Sequence, residues 1–94
     1  MKFAPVSREE LLDCFERLCD AMRVRCRGFR PADINGPDQW ALAKRPAGWV
    51  IVCGAGGGGV ALGPAGVGFP TRRSMYFAME LAMSAVIRHQ HHPG

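Results

Sequence analysis

Val50-Ile51-Val52-Cys53-Gly54-Ala55-Gly56-Gly57-Gly58-Gly59 decides between two fold classes. One reading makes it the strand and glycine turn of a dinucleotide-binding βαβ unit, with Gly54, Gly56 and Gly59 at the G-x-G-x-x-G spacing. That fingerprint needs a helix straight afterwards, because the helix N-terminus holds the pyrophosphate. Here Val60-Ala61-Leu62 runs into Gly63-Pro64, and Pro64 lacks the N–H that a helix interior needs. The next acidic residue, Glu80, falls inside a later helical pattern and not at the ribose-binding distance. The parallel α/β reading therefore fails, and an antiparallel one takes its place.

Upstream, Gln39-Trp40-Ala41-Leu42-Ala43-Lys44 leads into Arg45-Pro46-Ala47-Gly48, and Trp49 to Cys53 leads out. This is a hairpin pattern, with Pro46 suited to the i+1 position of a type I turn and Gly48 to the left-handed bulge position after it. Such a turn sets Arg45 opposite Trp49, Ala43 opposite Ile51 and Leu42 opposite Val52. Trp49, Ile51 and Cys53 then share one face, while Trp40, Leu42, Val50 and Val52 share the other. Both faces are apolar, which is unusual for an antiparallel sheet with one side in water. Downstream, the glycine tract is expected to be a mobile turn into a short strand, Val60-Ala61-Leu62, within a glycine-rich loop region spanning 54–70. The functional alternative is a loop that orders its N–H groups around a phosphate.

Helices are expected on either side of the hairpin. Ser7 and Glu10 form an S-x-x-E capping box, and Val6 and Leu11 stand at the two positions of a hydrophobic staple. Leu11, Phe15, Leu18 and Met22 follow at helical spacing, with Glu9, Asp13, Glu16, Arg17 and Asp20 opposite. The last helix is expected over 71–88, with Thr71 as N-cap and Met75, Ala78, Met79, Ala82 and Val86 as its core stripe. Phe77 projects among its polar residues. Between first helix and hairpin, Arg23-Val24-Arg25-Cys26-Arg27-Gly28-Phe29-Arg30 alternates with period two, as an edge strand would. An extension of the helix to Arg27, stopped by Gly28, fits the same residues.

The net charge of +4 hides an uneven distribution: residues 1–20 carry −2 and residues 21–94 carry +6. Ten of the twelve basic residues are arginine, whose planar fork binds carboxylates and phosphates bidentately. Arg23, Arg25, Arg27 and Arg30 cluster in sequence, and Arg72 and Arg73 open the last helix, where they oppose its dipole and gain nothing in helix stability. Cys14, Cys19, Cys26 and Cys53 have no C-x-x-C pair or zinc spacing, so they are read as small hydrophobes. His89, His91 and His92 lie in a terminal tail, 89–94, too loosely held to form a metal site or a general base. No catalytic constellation emerges, and neither a cofactor nor a metal is expected. Nothing at the start reads as a secretion signal and no apolar run has the length of a membrane span, so a cytoplasmic location without membrane contact is expected.

The expected architecture is a single α+β domain over 1–94, in α-β-β-β-α order, with an antiparallel three-stranded sheet, an optional extra edge strand, and helices on one face. This element order is similar to that of the double-stranded-RNA-binding domain, whose last helix opens with basic residues that contact phosphate. Thr71-Arg72-Arg73-Ser74 stands at that place here, without the lysine cluster of that family. Two functions follow as expectations. The first is a non-enzymatic protein that binds another protein, such as a phage or mobile-element inhibitor of the anti-CRISPR kind. It would dock, or form a homodimer, through an apolar sheet patch of Trp40, Leu42, Val50 and Val52, with Phe77 as a further anchor. The second is nucleic-acid binding through Arg23, Arg25, Arg27, Arg30, Arg72 and Arg73.

Overall fold

The computed structural model describes residues 5–63 and 68–91. The order is helix, four strands, helix: α1 (Arg8–Met22), β1 (Arg25–Cys26), β2 (Gln39–Arg45), β3 (Gly48–Cys53), β4 (Gly59–Leu62) and α2 (Arg72–His91). The strands form one sheet in the order β1-β2-β3-β4, antiparallel except for the short parallel pairing of β1 with β2. The α+β class, the element order and the placement of both helices on one sheet face are as expected, with β1 as the extra edge strand.

α1 begins as its sequence requires. The Glu10 N–H donates to Ser7 Oγ at 3.1 Å, and the Ser7 N–H donates back to the Glu10 carboxylate at 3.4 Å. It ends five residues before Gly28, at Arg23, which adopts φ 58°. The Arg23 N–H donates to the Asp20 carbonyl and the Val24 N–H to the Cys19 carbonyl, the paired bonds of a Schellman stop. An L-residue in this conformation costs about 1–2 kcal/mol, which is why no sequence signal marked this stop. Arg25 and Cys26 then pair with Gln39 and Trp40 along the edge of β2.

The hairpin register differs from the expected one by a residue. Arg45 pairs with Gly48, closing a two-residue turn of Pro46 and Ala47, and Lys44 pairs with Trp49. A one-residue slip exchanges the faces of one strand relative to the other. Leu42 therefore faces the helices with Ile51, beside Trp49, whereas Ala41 and Ala43 share the opposite face with Val52 and Val50. The patch expected from Trp40, Leu42, Val50 and Val52 is split between the two faces and does not exist as one surface.

The central strands are covered on both faces, although Val60 on β4 stays 49% exposed. On the helix side, Leu11, Phe15, Leu18, Met75, Met79 and Met83 pack on Leu42, Trp49 and Ile51. On the other side Val50 is 4% and Val52 0% exposed, because Ile34 seals them. Ile34 is held there by two loops. Pro31–Asp33 forms a 3-10 turn before it, and Ala55–Gly57 forms another whose Gly56 N–H donates to the Ile34 carbonyl at 3.1 Å. Buried Gln39 fixes the same region, accepting from the Asn35 N–H and the Arg27 guanidinium and donating to Asn35 Oδ1 at 2.6 Å. Loops cover this face where a helix layer would usually do so.

α2 extends three residues beyond the expected end, into the stretch read as a tail, whereas 92–94 lie outside the described residues, as do 64–67 of the glycine-rich region. Among the described residues no helix is long and apolar enough to cross a membrane.

Candidate cationic cleft

The glycine tract folds into a 3-10 turn, and three of its amides are taken within the chain. The Gly56 N–H is taken by Ile34, the Gly57 N–H by the Gly54 carbonyl at 2.8 Å, and the Gly58 N–H by the Ala55 carbonyl at 3.4 Å. Gly59 pairs with Cys53 in the sheet. A Cβ on Gly57 would stand 3.0 Å from Pro31 Cβ and 3.2 Å from Val52 Cγ2, so the tract is a packing element at φ +75°. The Gly56, Gly57 and Gly58 amides are therefore not free for a phosphate.

The uncommitted polar groups collect at the other end of the hairpin. α1 and α2 start at the same end of the sheet, and their first residues, Arg8 and Arg72, line one cleft with Lys44 from the end of β2. The cleft measures about 550 Å³, and Phe29, Leu42, Trp49 and Pro70 form its apolar wall. No carboxylate among the described residues lines it. Arg8 lies with its guanidinium carbon 4.4 Å from the centre of the Phe29 ring. Phe29 in turn meets Trp49 edge-on, with ring centres 6.1 Å apart. Trp49 is fixed by reciprocal backbone hydrogen bonds with Phe69, both 2.7 Å. The Arg8 guanidinium thus stacks on an aromatic pair, and its N–H donors stay available for a ligand.

Arg72 is positioned by the cap of α2. The Ser74 N–H donates to Thr71 Oγ1 at 3.0 Å and the Thr71 N–H donates to Ser74 Oγ at 3.1 Å, a reciprocal box built from two hydroxyls. The Arg72 N–H has no intrahelical acceptor, as for any first helical residue, and the first turn carries no acidic side chain. α1 differs, since Glu9 and Glu10 stand in its first turn. Among the described residues, Arg8, Lys44 and Arg72 form no ion pair.

The six arginines expected to act together are dispersed. Arg27 donates to Gln39 at 2.9 Å, and Arg30 pairs with Asp33 at 3.3 Å. Both border a second groove of about 450 Å³ whose wall includes Glu16 and Asp20, so its charge is mixed. Arg23 serves as the stop of α1, and Arg25 lies exposed on the edge strand. Arg73 turns away from the cleft and sits over the Phe77 ring at 5.3 Å. Only Arg72 of the six lines the cleft, and sequence reasoning missed Arg8, Lys44 and Phe29. One signal was available: each helix carries an arginine directly after its capping hydroxyl, and two helices on one face of a sheet can start side by side.

Two buried cysteines, Cys14 and Cys19, are the reverse of activated. All four are free thiols, Cys14 and Cys19 buried, Cys26 and Cys53 half-buried. Burial, reinforced by the Glu80 carboxylate that accepts from its thiol at 3.8 Å, pushes Cys14 up to about 11. Burial also raises Cys19, with Cys26 as its nearest electrostatic neighbour. Both are held as protonated thiols, the opposite of a nucleophile's requirement. Among the described residues no three His, Cys, Asp or Glu side chains group as a metal site. No family model, curated protein or solved structure matches the chain.

Proposed function

We propose that this chain is a non-enzymatic nucleic-acid-binding protein that contacts phosphate through the cleft between its two helix starts. The observation that carries this reading is the convergence of Arg8, Lys44 and Arg72 on one concave site with no carboxylate in its wall. Three like charges gathered without counter-charges repel one another and add nothing to folding stability, so their arrangement is accounted for by an anionic ligand. Arginine forks and a helix start are the groups that most often hold phosphate oxygens. The direct test is an anisotropy titration with a labelled single-stranded oligonucleotide at several salt concentrations. Three basic side chains, each displacing one counterion, give a slope of log K against log salt of about −2 for a single strand. Absent or salt-independent binding contradicts the reading.

The protein-partner reading keeps one surface. Phe77 is 53% and Leu81 68% exposed, one turn apart on the outward side of α2. An inhibitor or regulator docking there would bind with little salt dependence, and Leu81→Glu would abolish that binding while leaving oligonucleotide affinity intact.

A further inference from the structure

We infer that the cleft, read as above as a nucleic-acid site, is selective for a terminal phosphomonoester and not for the internal phosphodiesters of a strand. The argument rests on donor and charge stoichiometry. Arg8 and Arg72 each present a two-pronged fork and Lys44 an ammonium, and all three line the same cleft. An internal phosphodiester offers two non-bridging oxygens and a single negative charge, which leaves part of this donor set to water. A terminal phosphate offers three such oxygens and about −2 charge at neutral pH. It therefore matches two forks and an ammonium together with the open amide at the start of α2.

Size and shape agree with this reading. The cleft, about 550 Å³ and open to solvent, has room for one nucleotide. Phe29, Leu42, Trp49 and Pro70 supply the apolar wall against which the terminal sugar and base rest. Arg8, stacked 4.4 Å above Phe29, is biased towards the cleft by a cation–π contact. Pre-positioning of this kind lowers the ordering cost of binding.

The test uses the full chain and single-stranded oligonucleotides of one sequence bearing a 5′-phosphate, a 3′-phosphate or hydroxyl ends only, with adenosine monophosphate as a separate probe. One phosphorylated end is expected to bind about tenfold more tightly than hydroxyl ends, and its advantage grows as pH rises through the second phosphate pKa near 6. Arg72→Gln and Lys44→Gln remove that advantage, whereas Arg73→Gln, outside the cleft, retains it. Circular dichroism of each variant establishes that it is folded. Equal affinity for all three oligonucleotides overturns this inference and leaves the nucleic-acid reading standing. Binding of adenosine monophosphate without binding of any oligonucleotide overturns the nucleic-acid reading and leaves the phosphomonoester site standing. Failure of every probe overturns both.

Discussion

The two ends of strand β3 are opposites. At its far end the glycine tract looks like a phosphate loop, yet the Gly57 and Gly58 amides close its own turn and the Gly56 amide meets the Ile34 carbonyl. At its near end, beside the hairpin turn, Lys44, Arg8 and Arg72 surround a cleft and none of them is in an ion pair among the described residues. A glycine-rich motif marks where the backbone must come close to something, and here that something is Pro31 and Val52 of the same chain. A site for an anion is marked instead by charges that folding leaves unanswered. One end is built for stability and the other for a ligand, and variants at each end separate the two roles.

The largest effect is expected at the structural end. Gly57→Ala sets a Cβ 3.0 Å from Pro31 and 3.2 Å from Val52 at φ +75°, and should cost about 3 kcal/mol, read as a lowered urea midpoint. The cleft lies elsewhere, so the folded fraction should bind oligonucleotide as the parent does. Unchanged stability would mean that the glycine end is not the packing element described.

Next in size is an alkaline effect in the core that joins α1 to α2 and so brings their starts together. Cys14 is held protonated up to about pH 11, whereas an unfolded thiol titrates near 9, so its contribution is complete below pH 9. It is lost as pH rises from 9 towards 11, amounting to about 2 kcal/mol, and Cys14→Ala should flatten that limb of the stability profile. A Cys14→Ala profile identical in shape to the parent's would show that the thiol does not report on the helix pair.

Single changes at the cationic end come third. Arg72→Gln should weaken oligonucleotide binding about tenfold, the effect of one charge-assisted contact, while shifting stability by less than about 0.5 kcal/mol. Equal losses in stability and binding would collapse the distinction between the two ends. The smallest effect belongs to neither end: Arg23→Gly relieves the left-handed stop of α1 and should stabilise the protein by about 1 kcal/mol in the same urea assay without altering binding.

Much of the fold was legible. The Ser7–Glu10 box, the helical spacing from Leu11, the Thr71 cap, the hairpin arms and the short strand after the glycine tract all stand where the sequence puts them. The hairpin register was not, for a specific reason. With Trp40, Leu42, Val50 and Val52 all apolar, the pattern fits either pairing, and only the turn length, Pro46-Ala47 against a three-residue turn, decides between them. That one residue removed the apolar docking face. The parallel contact of β1 and the stop at Arg23 were hidden too, since the first arises from tertiary packing and the second uses a residue with no propensity for it. Of the site, Arg72 was legible from its conflict with the helix dipole. Arg8, Lys44 and Phe29 were not, because positions far apart in sequence meet only once the helices start at a common end.

The most direct test of the cationic cleft replaces Arg8, Lys44 and Arg72 together by glutamine and repeats the salt-dependent oligonucleotide titration against the parent protein. The parent is expected to bind with a slope of log K against log salt of about −2, and the folded triple variant to lose both the affinity and the slope. A folded triple variant that binds with the parent's affinity and slope would contradict the account.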